Sequence, residues 1–247
     1  MDHRNGTPSE QHHRDRRRIL TILAAAAVDG LVGGGLAGVA YADTLTQAQR
    51  ANLTPDEIIA LMKEGNERFR QGGKLTRDYV AERNSAAKGQ YPAAVILSCI
   101  DSRSPAEIIM DLGLGEVFNA RVAGNISNDD ILGSMEFACK VAGAKVVLVM
   151  GHTSCGAIQG AIDGVNLGNL TGLLAKIRPA VAATAFAGDR SSKNPNFVDA
   201  VATKNVELTM RSIRGQSPIL RDLESAKAIK IAGAMYNLNT GRVDFLA

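Results

Sequence analysis

Histidine and cysteine are scarce in this 247-residue chain, and tryptophan is absent from it. The chain has four histidines, and three of them lie near its beginning: His3, His12 and His13. The fourth is His152. The cysteines are Cys99, Cys139 and Cys155. An odd number of cysteines does not indicate a disulfide framework, so the position of each thiol has to be considered by itself.

Charge of one sign is not concentrated anywhere beyond residue 42. The formal net charge at pH 7 is only +3, and no cluster of lysine and arginine follows residue 42. Proteins that bind nucleic acid depend on such clusters, so we do not expect a nucleic acid as partner. Beyond residue 42 the sequence also has no internal repeat and no low-complexity segment, which indicates one ordinary globular domain.

The first 42 residues have the pattern of an export signal. Three arginines at 16–18 precede a weakly apolar run that ends in Ala40-Tyr41-Ala42. A charged start, an apolar middle and a small-residue cleavage site describe a secretory signal, and paired arginines suggest the twin-arginine route. The alternative is a membrane anchor, for which Asp29 and the many glycines are unfavourable. We therefore expect cleavage near Ala42–Asp43, which leaves a periplasmic or secreted protein without an anchor and with one domain, residues 43–247.

Short apolar segments alternate with helical patterns through that domain. Four segments rich in branched apolar residues indicate buried strands: 93–98, 117–122, 145–150 and 229–236. A short fifth segment, 242–246, follows a tight turn and could form an antiparallel edge. Helical patterns cover 45–53, 54–71, 78–89, 105–112, 129–142, 170–187, 196–213 and 219–225. The sequence therefore predicts an α/β fold in which helices flank a mainly parallel central sheet of about four strands plus the C-terminal edge strand.

The first predicted strand ends in a run of reactive side chains. Cys99, Asp101 and Arg103 are spaced two apart, so along an extended backbone they would share one face. They would then meet beyond the strand end, where open α/β sheets bind ligands. The segment Ser104-Pro105-Ala106-Glu107 has the pattern of a capping box with proline at the first helical position, which predicts that a helix follows.

A second set of candidate ligands follows the third predicted strand. His152 and Cys155 lie in Gly-His-Thr-Ser-Cys-Gly at 151–156, and neighbouring parallel strands would bring them to the same end of the sheet as Cys99. Two thiolates and one imidazole suit zinc, and three protein ligands leave a fourth position open, as in catalytic sites. Each residue alone also has an ordinary structural explanation. A lone buried cysteine is usually inert, which is what we expect of Cys139.

With these motifs the sequence resembles the β class of carbonic anhydrases. The motif pair at 99–103 and 151–156 carries the resemblance, which extends to 65–69, 105–107, 115–118 and 121–125. It implies a carbonate dehydratase, a lyase that reversibly hydrates carbon dioxide to bicarbonate and a proton. By this resemblance Cys99, His152 and Cys155 would bind one zinc ion per subunit. Asp101 and Arg103 would form a catalytic dyad that orients a zinc-bound hydroxide.

The resemblance also implies a substrate pocket. Gln90 matches a glutamine that hydrogen-bonds a substrate oxygen in plant-type members, in some of them across the dimer interface. Phe118, Ala123 and Phe137 match positions in the apolar wall of the carbon dioxide pocket. Gly156 would offer a backbone N–H to the substrate.

Position 96 distinguishes this chain from one group of the family that it resembles. Members with a second, inhibitory bicarbonate site have a tryptophan three residues before the first zinc cysteine, where this chain has Ile96. We therefore expect an open zinc site of the plant type. Active sites of the family form at subunit interfaces, which implies a homodimer or a higher even-numbered homo-oligomer.

Three other functions stay open at this point. The same zinc site could hydrolyse carbonyl sulfide or carbon disulfide, or could belong to a non-catalytic zinc protein that senses bicarbonate. The Asp101–Arg103 pair argues against the sensor, which would not need it. A redox thiol protein is disfavoured because Cys99 and Cys155 do not form a Cys-x-x-Cys pair.

Overall fold

The computed structural model describes residues 44–246, so the predicted export signal lies outside the described residues. One sheet holds five strands: β1 (Ala94–Ser98), β2 (Val117–Arg121), β3 (Val146–His152), β4 (Lys230–Tyr236) and β5 (Val243–Phe245). The strand order is β2-β1-β3-β4-β5. The first four strands are parallel, and β5 pairs with β4 in the antiparallel sense. The predicted fold class is confirmed, including the antiparallel edge strand.

Helices cover both faces of the sheet. Between residues 44 and 246 the α-helices are α1 (Gln47–Asn52), α2 (Pro55–Gln71), α3 (Tyr79–Ala86), α4 (Ala106–Ile109), α5 (Asp129–Glu136), α6 (Gly156–Ile162), α7 (Gly168–Ala175), α8 (Arg178–Ala183), α9 (Pro195–Gln216) and α10 (Pro218–Ser225). A 3₁₀ turn (Ala123–Asn125) follows β2, and a π-helical turn (Phe137–Val141) follows α5. None of the helices between residues 44 and 246 has the length and apolar character needed to cross a membrane.

The central strands are buried on both faces. In β1, Ala94 and Ile96 pack into the core on the side of α2, while Val95 and Leu97 pack into the core on the side of α5 and α9. This two-sided burial explains why β1 and β3 are continuous apolar runs rather than alternating ones. The edge strand β2 is only partly buried along its length.

Helix α9 packs very closely against the end of β3. A Cβ atom added to Gly151 would lie 2.8 Å from Cγ2 of Val206 on α9 and 3.7 Å from the backbone oxygen of Ala202. Glycine is therefore needed at this approach. The contact places the first half of α9 beside the turn that follows β3.

The single helix predicted for 170–187 is wrong. The structure has two short helices there, α7 and α8, joined at Lys176 and Ile177. Pro179 lies in the first turn of α8. Proline is accommodated in a first turn but not inside a helix, because it has no N–H to donate to the preceding turn. The apolar pattern runs through both helices, which is why the sequence suggested one.

Two local predictions around the first strand and the middle of the chain also differ from the structure. Ser104 does not cap a helix, because its hydroxyl donates to the backbone oxygen of Asp101 at 3.1 Å and α4 has no side-chain cap. The helix predicted for 129–142 ends in the π-helical turn, in which the Ala142 N–H donates to the Phe137 carbonyl at 2.9 Å.

Candidate active site

The sheet brings the three candidate metal ligands together. Strands β1 and β3 are neighbours, with Ser98 in register with Met150, so Cys99 and His152 leave the same end of the sheet side by side. The ligand atoms of Cys99, His152 and Cys155 all lie within 4.8 Å of one another, and the two sulfurs are 4.0 Å apart. All three residues are buried. The arrangement can hold a metal ion.

His152 has one ring nitrogen satisfied and the other without a partner. Its Nδ1 lies 2.9 Å from the backbone oxygen of Thr153. A carbonyl only accepts, so the proton belongs on Nδ1 and the lone pair on Nε2. Nε2 is buried and makes no hydrogen bond within the described residues. A buried nitrogen lone pair beside two thiols fits zinc, which binds imidazole and thiolate together.

The two thiols are electrostatically unequal. Hydrogen bonding from the Cys155 thiol and from the backbone of Gly124 and Asp101 holds the pKa of Cys99 well below its ordinary value. The hydrogen bond to Cys99 and burial raise the pKa of Cys155. The site therefore readily carries one thiolate even before a cation is bound, which favours capture of a soft divalent metal.

The 3₁₀ turn after β2 supports the Cys99 sulfur. The Gly124 N–H donates to Sγ of Cys99 at 3.4 Å, and the Gly124 carbonyl accepts from the side-chain amide of Asn205 at 2.7 Å. Gly124 has a φ of +68°, and an added Cβ would lie 2.5 Å from Cδ1 of Ile177. Both its conformation and its surroundings require glycine.

Asp101 and Arg103 are paired by a turn and not by an extended backbone. The chain turns after Asp101, where the Ser104 N–H donates to the Asp101 carbonyl at 3.0 Å, and Arg103 folds back. Its Nε and its backbone N–H donate to Oδ1 of Asp101 at 3.0 and 2.9 Å, and Nη2 donates to Oδ2 at 2.8 Å. These bonds hold the pKa of Asp101 below its ordinary value. Oδ2 lies 3.8 Å from Nε2 of His152, at the edge of the metal centre.

Arg121, at the end of β2, fixes the backbone at Cys99 and Asp101 by hydrogen bonds to both carbonyl groups. Its Nε donates to the Cys99 carbonyl at 2.9 Å and its Nη2 to the Asp101 carbonyl at 2.6 Å. No individual role was predicted for Arg121 from the sequence, although this residue lies in the segment 121–125, to which the family resemblance extends. On the other side, Asp199 of α9 accepts from the Ser154 N–H at 2.9 Å. No local sequence signal marked Asp199.

Two of the predicted pocket residues lie at the metal end of the sheet. Ala123 precedes Gly124, which contacts the Cys99 sulfur. Gly156 follows Cys155 directly, at the start of α6, and a Cβ placed there would meet no atom within 4 Å. The space in front of Gly156 is therefore open to a small molecule.

The other three predicted pocket residues lie away from the candidate metal ligands of the same chain. Gln90 is exposed before the N-terminal end of β1, whereas Cys99 follows its C-terminal end. A five-residue strand separates them by roughly 16 Å. Phe118 is in register with Val95 and packs edge-on against Phe137, with ring centroids 6.1 Å apart.

Phe118 and Phe137 line an open groove of about 610 Å³ beside the β2 edge. The groove contains no metal ligand; its lining is Val95, Phe118, Asn119, Ala120, Asp129, Asp130, Gly133, Ser134 and Phe137. Phe137 is 50% exposed. Within one chain these aromatic rings do not wall the centre formed by Cys99, His152 and Cys155.

Comparison with known proteins gives one consistent family. Residues 94–243 match the family model described as carbonic anhydrase. Carbonic anhydrase 2 of Mycobacterium tuberculosis is 35% identical over 193 residues, which cover 77% of this chain and 92% of that protein.

Solved structures agree in fold. A β-carbonic anhydrase of Aspergillus fumigatus is 25% identical and superposes with a TM-score of 0.61 over 77% of this chain and 89% of that one. One of two tetrameric β-carbonic anhydrases from Sordaria macrospora is 24% identical, with a TM-score of 0.60 over 67% of this chain and 85% of that one.

Proposed function

The chain belongs to the β-class carbonic anhydrase family, and we propose that it hydrates carbon dioxide reversibly at a zinc ion held by Cys99, His152 and Cys155. The observation that carries this proposal is the unpartnered, buried Nε2 of His152 beside two thiols and the Asp101–Arg103 pair. A purely structural zinc site would need a fourth protein ligand, and among the described residues this cluster has three.

Bound zinc supplies a Lewis acid that makes water a nucleophile near neutral pH. The protein's own part is orientation. Because both oxygens of Asp101 accept hydrogen bonds from Arg103, the carboxylate is ionised, fixed in place and able only to accept. Oδ2 faces the metal centre, where it can accept a hydrogen bond from the nucleophile. This hydrogen bond would direct the lone pair of the nucleophile toward carbon dioxide. The Gly156 N–H is the proposed donor to an oxygen of the substrate.

We further propose that a second copy of the chain completes the pocket. Gln90, Phe118 and Phe137 are too far along β1 and β2 to reach the metal centre of their own chain. Phe118 lies on the edge strand β2 and Phe137 packs against it, and a second chain could lie along this edge. An isologous dimer across this edge would bring these residues to the partner's site. The tetrameric state of the Sordaria macrospora proteins is in keeping with an even-numbered assembly.

The decisive test is stopped-flow hydration of carbon dioxide by the zinc-loaded protein across pH 6.5 to 9, beside Asp101→Asn. We expect fast hydration in the wild type and a loss of roughly 10- to 100-fold in the variant with zinc retained. Full zinc occupancy without hydration at any pH would overturn the proposal. Assays with carbonyl sulfide, carbon disulfide and bicarbonate binding would then distinguish the hydrolase from the sensor.

We also keep the proposal that residues 1–42 direct export and that 43–247 form the single catalytic domain. Its support is the sequence pattern alone. Expression with a C-terminal tag, followed by fractionation and intact-mass measurement, should give a periplasmic protein that begins near Asp43. The same tagged protein with Arg16→Lys and Arg17→Lys should stay in the cytoplasm if the twin-arginine route is used. A full-length mass in the periplasm or in the membrane fraction would contradict cleavage.

A further inference from the structure

The turn between His152 and Cys155 is strained. It consists of Thr153 and Ser154, and Ser154 has a φ of +54°. This left-handed region is unfavourable for a residue with a Cβ atom, and such conformations persist only where the surroundings hold them. Contacts from outside the turn must therefore fix it.

Two of these contacts fix Thr153. Its N–H donates to the Tyr236 carbonyl at 3.0 Å, and its hydroxyl oxygen accepts from the Leu238 N–H at 3.0 Å. Both act on the peptide group before Thr153 or on its side chain. Neither touches the peptide group between Thr153 and Ser154.

That peptide group is held by Asp199. Oδ1 of Asp199 accepts from the Ser154 N–H at 2.9 Å. Asp199 lies in the first half of α9, which the close approach at Gly151 brings against the end of β3. The carboxylate therefore comes from a long helix fixed by core packing, not from the turn itself.

The carbonyl of the same peptide group is the partner of His152. In a trans peptide the C=O and N–H point in opposite directions, and the described chain contains no cis peptide bond. The Thr153 oxygen lies 2.9 Å from Nδ1 of His152. The Asp199 carboxylate, one peptide group and the His152 imidazole thus form a continuous chain of two hydrogen bonds.

We propose that Asp199 is a positioning residue that orients and polarises His152 through the Thr153–Ser154 peptide group. In many zinc proteins a carboxylate or a backbone carbonyl accepts directly from the metal-binding histidine, and this fixes the ring and makes its other nitrogen a better ligand. Here the Thr153 carbonyl accepts from His152, and the Asp199 carboxylate accepts from the N–H of the same peptide group. A charge that accepts the peptide N–H increases the negative charge on the peptide oxygen, because hydrogen bonds in a chain polarise one another. The proposal rests on His152 being the zinc ligand proposed above.

Three variants separate this function from general stability. Asp199→Leu keeps the approximate size of the side chain and removes the acceptor, whereas Asp199→Asn keeps an acceptor oxygen and removes the charge. The matched control is Glu207→Leu, a carboxylate on the same helix whose partner is Lys204 and not the turn. Circular dichroism and thermal unfolding identify any variant that does not fold.

The first readout is the rate of zinc loss from the loaded protein to an excess of chelator. We expect roughly 10-fold faster loss in Asp199→Leu, a smaller increase in Asp199→Asn and no change in Glu207→Leu. The second readout is the NMR resonance of the His152 Nδ1 proton, recorded in the full chain carrying His3→Gln, His12→Gln and His13→Gln, where His152 is the single histidine. A weaker hydrogen bond moves this resonance upfield, and we expect leucine to move it more than asparagine.

The proposal would be overturned if folded Asp199→Leu lost zinc at the wild-type rate and its His152 Nδ1 resonance were unchanged. It would also be overturned if Glu207→Leu had the same effect as Asp199→Leu. If Asp199→Leu does not fold, Asp199→Asn decides in the same way. The resonance is also recorded without zinc, where it reports the hydrogen-bond chain alone. Failure of the wild type to bind zinc would therefore refute the proposed function, while a silent Asp199 in a zinc-binding protein would refute only this inference.

Discussion

Arg103 donates to both carboxylate oxygens of Asp101, although the two residues are only two apart in the sequence. This is possible because the chain turns between them and does not continue the direction of β1. The pair lies at the protein surface: the Arg103 side chain is 57% exposed, while that of Asp101 is 15% exposed and has Oδ2 3.8 Å from Nε2 of His152. Arg103 therefore acts from the solvent side to hold a carboxylate whose free face is directed inward.

Replacing Arg103 should impair the orientation of Asp101 without changing its charge at neutral pH. The pKa of Asp101 is lowered by Arg103, so Arg103→Gln raises it toward the ordinary value, which is still well below 7. We expect kcat/KM to fall by roughly 10- to 100-fold to a similar extent at pH 7 and pH 9. Stopped-flow hydration at both values measures this.

Arg103→Lys is the control for that prediction. It keeps the charge but not the fork of two parallel donors, so its activity should lie between that of Arg103→Gln and the wild type. A loss that disappears at high pH would contradict the argument, because it would mean that protonation of Asp101, and not its orientation, limits the variant.

Only some of the site residues near the strand ends could be predicted from the sequence alone. The candidate ligands Cys99 and His152 could be placed together because each stands at the end of a buried apolar strand and parallel strands end at one edge of the sheet. Arg121 and Asp199 could not be placed, since both act on backbone groups 20 or more residues away, and backbone acceptors leave no mark in the sequence. The turn that folds Arg103 back was also missed, because alternation in the sequence does not tell where a strand stops.

Gly124 should tolerate no side chain. Gly124→Ala would place a Cβ atom 2.5 Å from Cδ1 of Ile177 at a φ of +68°, so we expect a loss of about 1–3 kcal/mol in unfolding free energy. Zinc should also be lost faster, since the Gly124 N–H donates to the Cys99 sulfur. Urea unfolding and chelator competition measure the two effects.

Gly133 provides the matched control. It lies inside α5, and a Cβ atom there would meet nothing within 4 Å. Gly133→Ala should therefore leave zinc retention unchanged and raise the unfolding free energy by up to about 1 kcal/mol, the helix preference of alanine over glycine. Equal behaviour of the two alanine variants would show that the crowding at Gly124 has no consequence.

Cys139 should be chemically silent in the folded protein. It is buried in the core beside α5 and α9, and burial raises the pKa of its thiol to about 12. At pH 8 almost no thiolate exists, so iodoacetamide should leave Cys139 unmodified in the native protein and alkylate it after unfolding in guanidinium. Peptide mass spectrometry measures the alkylation of Cys139. The Cys139→Ala variant should retain zinc and hydration activity. Alkylation of native Cys139 at pH 8 would contradict its assignment to the core.

The proposed completion of the pocket by a second chain predicts complementation between impaired variants. Gln90→Ala and Asp101→Asn would each damage both sites of a homodimer. In a mixed dimer, however, one site would combine the intact Asp101 of one chain with the intact Gln90 of the other. Each mixed dimer would contain one wild-type site and one doubly impaired site, so half of the sites in purified mixed dimers would be wild-type, against about a quarter of all sites after random association of equal amounts. Co-expression with two different tags, followed by hydration assays on doubly purified protein, tests this.

The control for that experiment is a mixture of Asp101→Asn and Arg103→Gln. These two residues contact each other within one chain, so a mixed dimer carries one defect in each site and should show no gain over the average of the two parents. Recovery in the first mixture and none in the second is the expected result. If neither mixture recovers although mixed dimers form, Gln90 does not reach the partner's site. The groove lined by Phe118 and Phe137 would then need another explanation than a shared pocket.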